Sequence, residues 1–382
     1  TQINPSNDYI IHPAFLWDDN NDGSISDDEQ LGGIWVGKFE TSVNPNSTCY
    51  DDLINKNSSA SSNCVASNED VTPRILPNVL SLVYQNVYNE FETGEKCENL
   101  EEKCEEIRNL KKVELHIHLD GAVNMNTIQK LSGMNIEDIR NGMVAPDKCI
   151  NLSEYLTKFD LPGSFMQSKE NITLITKDVV DYFESQNIIY AEVRFAPMFH
   201  TKNGLSYDEI IAAVLTGLRS NPNVKCNLIC CAMRGFPLED NKKTVDAVKR
   251  WLGIGVVALD LAGAEDKYPT SDYYELFEYA KEQGVPVICH AGENGSYNEV
   301  DKAIEFGALR IGHGIHSIDS IDTINKLKEN NIILEVCPTS NVQTNSVDTY
   351  VNHPIKKLID SGVHVCINTD NKTVSNVTLN EE

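Results

Sequence analysis

Val113-Glu114-Leu115-His116-Ile117-His118-Leu119-Asp120-Gly121 is the stretch from which the rest of the chain is best read. Side chains alternate faces along a strand, so His116, His118 and Asp120 share one face, and Leu115, Ile117 and Leu119 the other. Two imidazoles converging from one face suit a divalent metal, whereas a lone His-x-His in a strand more often reflects packing. The decision between these readings lies downstream.

From Lys112 onward, strand-like runs alternate with amphipathic segments. The runs are Val113–Leu119, Ile188–Ala196, Val224–Met233, Val256–Leu261, Val285–His290, Arg310–Ile315, Ile332–Val336 and His364–Asn368. Between them, Asp208–Leu218, Asp272–Glu282 and Ile318–Glu329 repeat apolar residues at helical spacing. Near-uniformly apolar strands separated by helices predict a parallel α/β sheet closed as a (β/α)8 TIM barrel. An open doubly wound sheet is the alternative; its dinucleotide form is disfavoured because no Gly-x-Gly-x-x-Gly follows the first strand. The long insertion Ala122–Asn187 holds a predicted helix, Leu152–Phe159, running into a loop at Asp160-Leu161-Pro162-Gly163. It reads either as a lid over the barrel mouth or as a helical decoration.

Barrel active sites are built at the C-terminal ends of the strands, and polar residues collect there. The first strand ends in His116-Ile117-His118-Leu119-Asp120 and the fifth in His290-Ala291-Gly292-Glu293. The sixth carries Gly312-His313-Gly314, and the eighth ends in Thr369-Asp370-Asn371. His116, His118, His290 and Asp370 suffice to coordinate one zinc ion and leave a position open for water. Glu293 and His313 then remain as an acid–base pair. Taken singly, His313 reads equally as a core histidine and Asp370 as a cap; together, in barrel order, they point to a metal-dependent hydrolase.

The chain has 382 residues, a net charge of -25, 41% hydrophobic and 23% charged residues, ordinary for a soluble globular protein. Its acidity argues against binding a nucleic-acid backbone, and no run is long and apolar enough for a membrane span. The 11 cysteines show no Cys-x-x-Cys pair, and an odd count fits a reducing, cytoplasmic setting. Residues 1–105 differ from the rest: an Asn/Asp/Ser-rich, irregular acidic extension with a linker-like patch at 55–63. Within it, Asp18, Asn20, Asp22, Gly23 and Glu29 match an EF-hand calcium loop, against the alternative of a solvated turn. The chain thus divides into the 1–105 extension and a 111–382 barrel.

Several segments resemble the signature sequences of the adenosine deaminase family of the amidohydrolase superfamily. They are Lys112–Ala122, Asp260-Leu261-Ala262-Gly263, His290-Ala291-Gly292-Glu293, Arg310-Ile311-Gly312-His313-Gly314, Glu335–Asn341 and Asn368-Thr369-Asp370-Asn371. The resemblance implies a zinc enzyme that converts adenosine, and 2′-deoxyadenosine, to inosine and ammonia. It makes His116, His118, His290 and Asp370 the Zn2+ ligands, Glu293 the proton donor to purine N1, and His313 the group that orients and deprotonates the attacking water. It gives Asp120, beside His118, the ribose 5′-hydroxyl, Gly263 purine N3 and Asn371 purine N7. A deaminase of adenine or another 6-aminopurine is the nearest rival; a non-catalytic binding or structural barrel is the rival from another class. The family also implies chain beyond the last strand that supplies an eighth helix. Without that helix, Val365, Ile367 and Val377 are expected to be uncovered and the fold weakened.

Overall fold

The computed structural model describes residues 107–150 and 152–382, together with four very short strands nearer the N-terminus. The chain divides into two compact units, Thr1–Glu95 and Lys96–Glu382. In the first, Tyr9–Ile10 pairs antiparallel with Val36–Gly37, and Thr41–Val43 with Val71–Pro73. The calcium-loop residues Asp18, Asn20, Asp22 and Glu29, and the 55–63 patch, lie outside the described residues.

The second unit contains a parallel eight-stranded sheet in sequence order. Its strands are β1 (Lys112–His118), β2 (Ile188–Phe195), β3 (Lys225–Met233), β4 (Val256–Ala262), β5 (Val287–Ala291), β6 (Arg310–His313), β7 (Ile333–Val336) and β8 (Val365–Ile367). The seam between β8 and β1 closes through a parallel bridge, Ile117 to Asp370, in which the His118 amide donates to the Asp370 carbonyl at 2.7 Å. Side chains reinforce it. Asn368 Oδ1 accepts from the Leu115 and His116 amides, and the Glu114 carboxylate accepts from the Thr369 amide and hydroxyl. The expected barrel is present.

Alternation decides what fills it. Ile117, Leu119, Val193 and Phe195 join the buried apolar layer shared with the surrounding helices. The opposite faces carry Glu114, His116, Glu192, Arg194, Asp260 and Glu335, all fully buried. Such groups are tolerated in an interior only when paired and hydrogen-bonded.

The β1–β2 insertion forms α1 (Met125–Ser132), α2 (Ile136–Met143), α3 (Leu152–Leu156), α4 (Asp160–Phe165) and α5 (Lys169–Ser185). The segment expected as a loop, Asp160–Gly163, is instead the first turn of α4, where Pro162 loses no helical hydrogen bond because first-turn amides have no intrahelical acceptor. The outer helices are α6 (Tyr207–Leu218), α7 (Leu238–Trp251), α8 (Tyr274–Glu282), α9 (Tyr297–Glu305) and α10 (Ile321–Glu329), followed by α11 (Pro338–Gln343) and α12 (Ile355–Asp360). None of the described helices is long and apolar enough to cross a membrane.

No helix follows β8 among the described residues, and the expected uncovering is met in part: of the three residues named, Val377 is buried while Val365 and Ile367 are not fully covered. Val377 is 9% exposed, and Val374 is fully buried against Ala145, Cys149 and Tyr155; Val365 and Ile367 are half-buried. Residues 371–382 run in successive turns across this end, tied by Ala145 N–H to Val374 O (2.8 Å) and Leu379 N–H to Tyr182 Oη (3.1 Å).

Candidate active site

At the C-terminal rim, ligand-type atoms of His116, His118, His290 and Asp370 lie within 4.8 Å of one another. Tautomers follow from the partners behind them. His116 Nδ1–H donates to Glu335 Oε2 at 2.9 Å, so its lone pair is on Nε2. That Nε2 is buried without a hydrogen-bond partner and sits 3.4 Å from Asp370 Oδ1. His290 Nδ1–H donates to Asp260, leaving its Nε2 lone pair 3.3 Å from His118 Nε2. His118 Nε2 is also 3.4 Å from Asp370 Oδ1. The His116 and His290 lone pairs and the Asp370 carboxylate converge on one point with His118 Nε2 beside them, so this donor set fits a metal ion. Burial pushes His118 and His290 below the ordinary imidazole range, which keeps them neutral and able to donate electron pairs. A second group among the described residues, His116, His313 and Cys337, shares His116 with the first.

The supporting network was not assigned from sequence. Arg194 bridges the two orienting carboxylates, with Nη1 3.0 Å from Asp260 Oδ2 and Nη2 2.7 Å from Glu335 Oε2. Arg310 adds Nε to Glu335 Oε1 at 2.6 Å and closes on Glu192. Burial opposes ionisation of Glu335, but these two guanidiniums hold its carboxyl well below the usual range. Ser340 Oγ donates to Asp370 Oδ2 at 2.6 Å. The signal was present in the sequence: single charges inside apolar strand runs, as in Ala191-Glu192-Val193-Arg194-Phe195 and Ile333-Leu334-Glu335-Val336.

Glu293 and His313 stand beside this cluster, with His313 Nε2 3.6 Å from Glu293 Oε2. Burial raises the Glu293 carboxyl well above its ordinary range, and the neighbouring Asp370 and Glu265 charges add to it, which favours the protonated form that can donate a hydrogen bond. Its loop is clamped by Glu265. Oε1 accepts from the amides of Glu293, Asn294 and Gly295, and Oε2 from that of Gly292. Backbone geometry is unusual here too. Of the six described non-glycine residues with positive φ, four are asparagines; the others are His313 (61°) and Asp370 (56°). A strained conformation of this kind costs about 1–3 kcal/mol and clusters at active sites.

Asp120, Gly263 and Asn371 line the same cavity of about 590 Å³, with His118, His290, Glu293, His313 and Asp370 at its floor. The volume suits a nucleoside-sized ligand. Burial pushes the Asp120 carboxyl up to about 6, and its Oδ1 has no partner. Asn371 Oδ1 is likewise buried and unpartnered. Gly263 has φ +107, and a Cβ there would stand 3.3 Å from Arg234, so glycine is required. The insertion contributes Tyr155, Leu156 and Phe159 to the wall, so part of it borders the cavity.

A parallel (β/α)8 barrel with a histidine–aspartate cluster at its C-terminal rim defines the class of metal-dependent hydrolases. The adenosine deaminase family profile matches residues 111–382. An adenosine deaminase of Clostridium kluyveri is 41% identical over 283 residues, 71% of this chain and 81% of the relative. That of Enterococcus faecalis is 39% identical over 286 residues, 72% of this chain and 85% of the relative. Among solved structures, a zinc-bound amidohydrolase from Burkholderia ambifaria superposes with a TM-score of 0.67 at 22% identity, covering 74% of this chain and 81% of that one. The chain belongs to the adenosine deaminase family.

Proposed function

We propose that residues 111–382 form a zinc-dependent deaminase that hydrolyses adenosine, and 2′-deoxyadenosine, to inosine and ammonia in purine salvage, with residues 1–105 a separate extension. The observation that carries the reading is the convergence of three histidine Nε2 atoms, that of His116 without a partner, and a carboxylate next to a buried glutamic acid whose carboxyl is raised well above its ordinary range. His116, His118, His290 and Asp370 would hold one zinc ion per chain. When bound, zinc lowers the pKa of a coordinated water to about 7 and so supplies a nucleophile near neutral pH.

The chain's own residues do the rest. Glu293 offers its carboxyl proton to purine N1, which makes C6 more electrophilic. His313, facing the same point, contacts the attacking oxygen. Asp120 accepts from the ribose 5′-hydroxyl, the Gly263 backbone meets N3, and Asn371 meets N7. Tyr155, Leu156 and Phe159 narrow the mouth and exclude water. The seven free cysteines among the described residues, all buried, suit the reducing cytoplasm.

The test is the absorbance change and ammonia release when the full chain, loaded with zinc, meets adenosine or adenine. Adenosine is expected to be consumed and adenine left intact. Faster turnover of adenine, or of neither, overturns the assignment.

A further inference from the structure

We propose that His353 and Asn341 are positioning residues that fix the tautomer of His313, so that His313 presents Nε2–H, a hydrogen-bond donor, to the metal site. The catalytic consequence rests on the deaminase reading; the tautomer itself does not.

The chain of reasoning starts at a donor whose direction is not in question. Ile355 opens α12, and a first-turn amide has no acceptor within its own helix. It donates instead to His353 Nδ1 at 3.2 Å. His353 is buried, and burial pushes it down to about 4, so the ring is neutral and its one proton is on Nε2. That Nε2–H points at Asn341 Oδ1, 3.3 Å away. Asn341 is fully buried on α11, and with its oxygen engaged its amide nitrogen faces His313 Nδ1 at 3.1 Å. An amide nitrogen only donates. His313 Nδ1 therefore accepts, and the His313 proton is on Nε2, on the side where Glu293 Oε2 lies 3.6 Å away. Rotating the Asn341 amide by half a turn would set its NH2 against His353 Nε2–H, and Ile355 N–H prevents His353 from moving its proton to Nδ1.

The relay changes what His313 does. With its only lone pair held by Asn341, neutral His313 does not take a proton at Nε2. Its Nε2–H would instead donate a hydrogen bond to the oxygen of the attacking water and orient it towards C6. This differs from the deprotonating role that the family resemblance implied for His313.

The experiment uses the full chain with 15N-labelled histidine, and two-bond 1H–15N spectra that distinguish Nδ1–H from Nε2–H rings. His313 is assigned by the signal lost in His313→Gln. The wild type is expected to show the Nε2–H pattern. Asn341→Asp, which offers Nδ1 only acceptor oxygens, is expected to switch it to Nδ1–H and to lower kcat about 100-fold or more with KM little changed, as wrong-tautomer variants of other enzymes do. His353→Gln, whose amide nitrogen replaces Nε2–H, is expected to retain the wild-type pattern and most of kcat; His353→Leu loses both. An Nδ1–H pattern in the wild type, or normal kcat in Asn341→Asp and His353→Leu, overturns the relay. The expected spectra from a protein that deaminates no purine nucleoside sustain the relay and refute the deaminase reading.

Discussion

Replacing Glu265 with glutamine tests whether the loop that carries Glu293 is held by one buried carboxylate. In the wild type, Glu265 Oε1 accepts from the Glu293 and Asn294 amides at 2.6 Å and Gly295 at 2.7 Å, and Oε2 from Gly292 at 2.9 Å. Glutamine supplies one acceptor oxygen and an NH2 group that must face at least one of those amides. One charge-assisted bond is lost outright, worth about 1.5–3 kcal/mol, and the rest weaken by about 1 kcal/mol each as their acceptor becomes neutral. Because such terms are not additive, the expected loss is about 3–5 kcal/mol, a large part of a domain's stability. It should appear as a fall of about 5–15 °C in Tm. The same loosening displaces Glu293, and a misplacement near 1 Å costs about 100-fold in rate. Glu293 acts in the transition state, so the loss should fall on kcat rather than KM. Thermal unfolding and steady-state adenosine turnover measure both. An unchanged Tm together with an unchanged kcat refutes the clamp.

Three further outcomes are expected. Because burial and the neighbouring carboxylates favour the neutral form of Glu293, Glu293→Gln should leave unfolding in urea unchanged within about 1 kcal/mol while lowering kcat about 10²–10⁴-fold; comparable losses of both would contradict that preference. His200 donates Nδ1–H to Met166 O, its Nε2 is buried without a partner, and burial pushes it from 6.5 to about 4. Between those values the unfolded chain binds the extra proton, so stability falls as pH drops through the window, by about 3 kcal/mol from this group. Urea unfolding of His200→Gln at pH 7 and pH 4.5 should show a shallower pH dependence than the wild type, and an identical slope removes His200 from the account. A Cβ on Gly312 would stand 2.8 Å from His116 Cε1 and 3.3 Å from His290 Cα. Gly312→Ala should therefore weaken zinc binding about 10–100-fold in competition with a chromophoric chelator, and an unaltered affinity contradicts the crowding.

The barrel was legible because its strands are apolar runs of ordinary strand length. Val256–Leu261 was expected and β4 spans Val256–Ala262; Asp208–Leu218 was expected and α6 spans Tyr207–Leu218. Rim residues were visible because charge and imidazole interrupt those runs at their C-terminal ends. What stands behind the rim was not assigned, since Asp260, Arg194 and Glu335 meet only after the barrel closes. Glu265 was hidden for a different reason: its partners are backbone amides 27 to 30 residues away, which no side-chain pattern records. The Pro162-Gly163 pair suggested a loop, but a first-turn proline costs a helix nothing. The burial of Val374 comes from its packing against Ala145, Cys149 and the α3 residue Tyr155, a tertiary event that local pattern does not record.

The central claim is that one cation held by His116, His118, His290 and Asp370 enables the chemistry performed around Glu293. Ammonia release from adenosine by metal-stripped full chain, titrated with zinc, tests it directly. The account predicts a negligible initial rate that rises linearly and breaks at one equivalent per chain. Full activity before any zinc is added, or none at any zinc level, would contradict it.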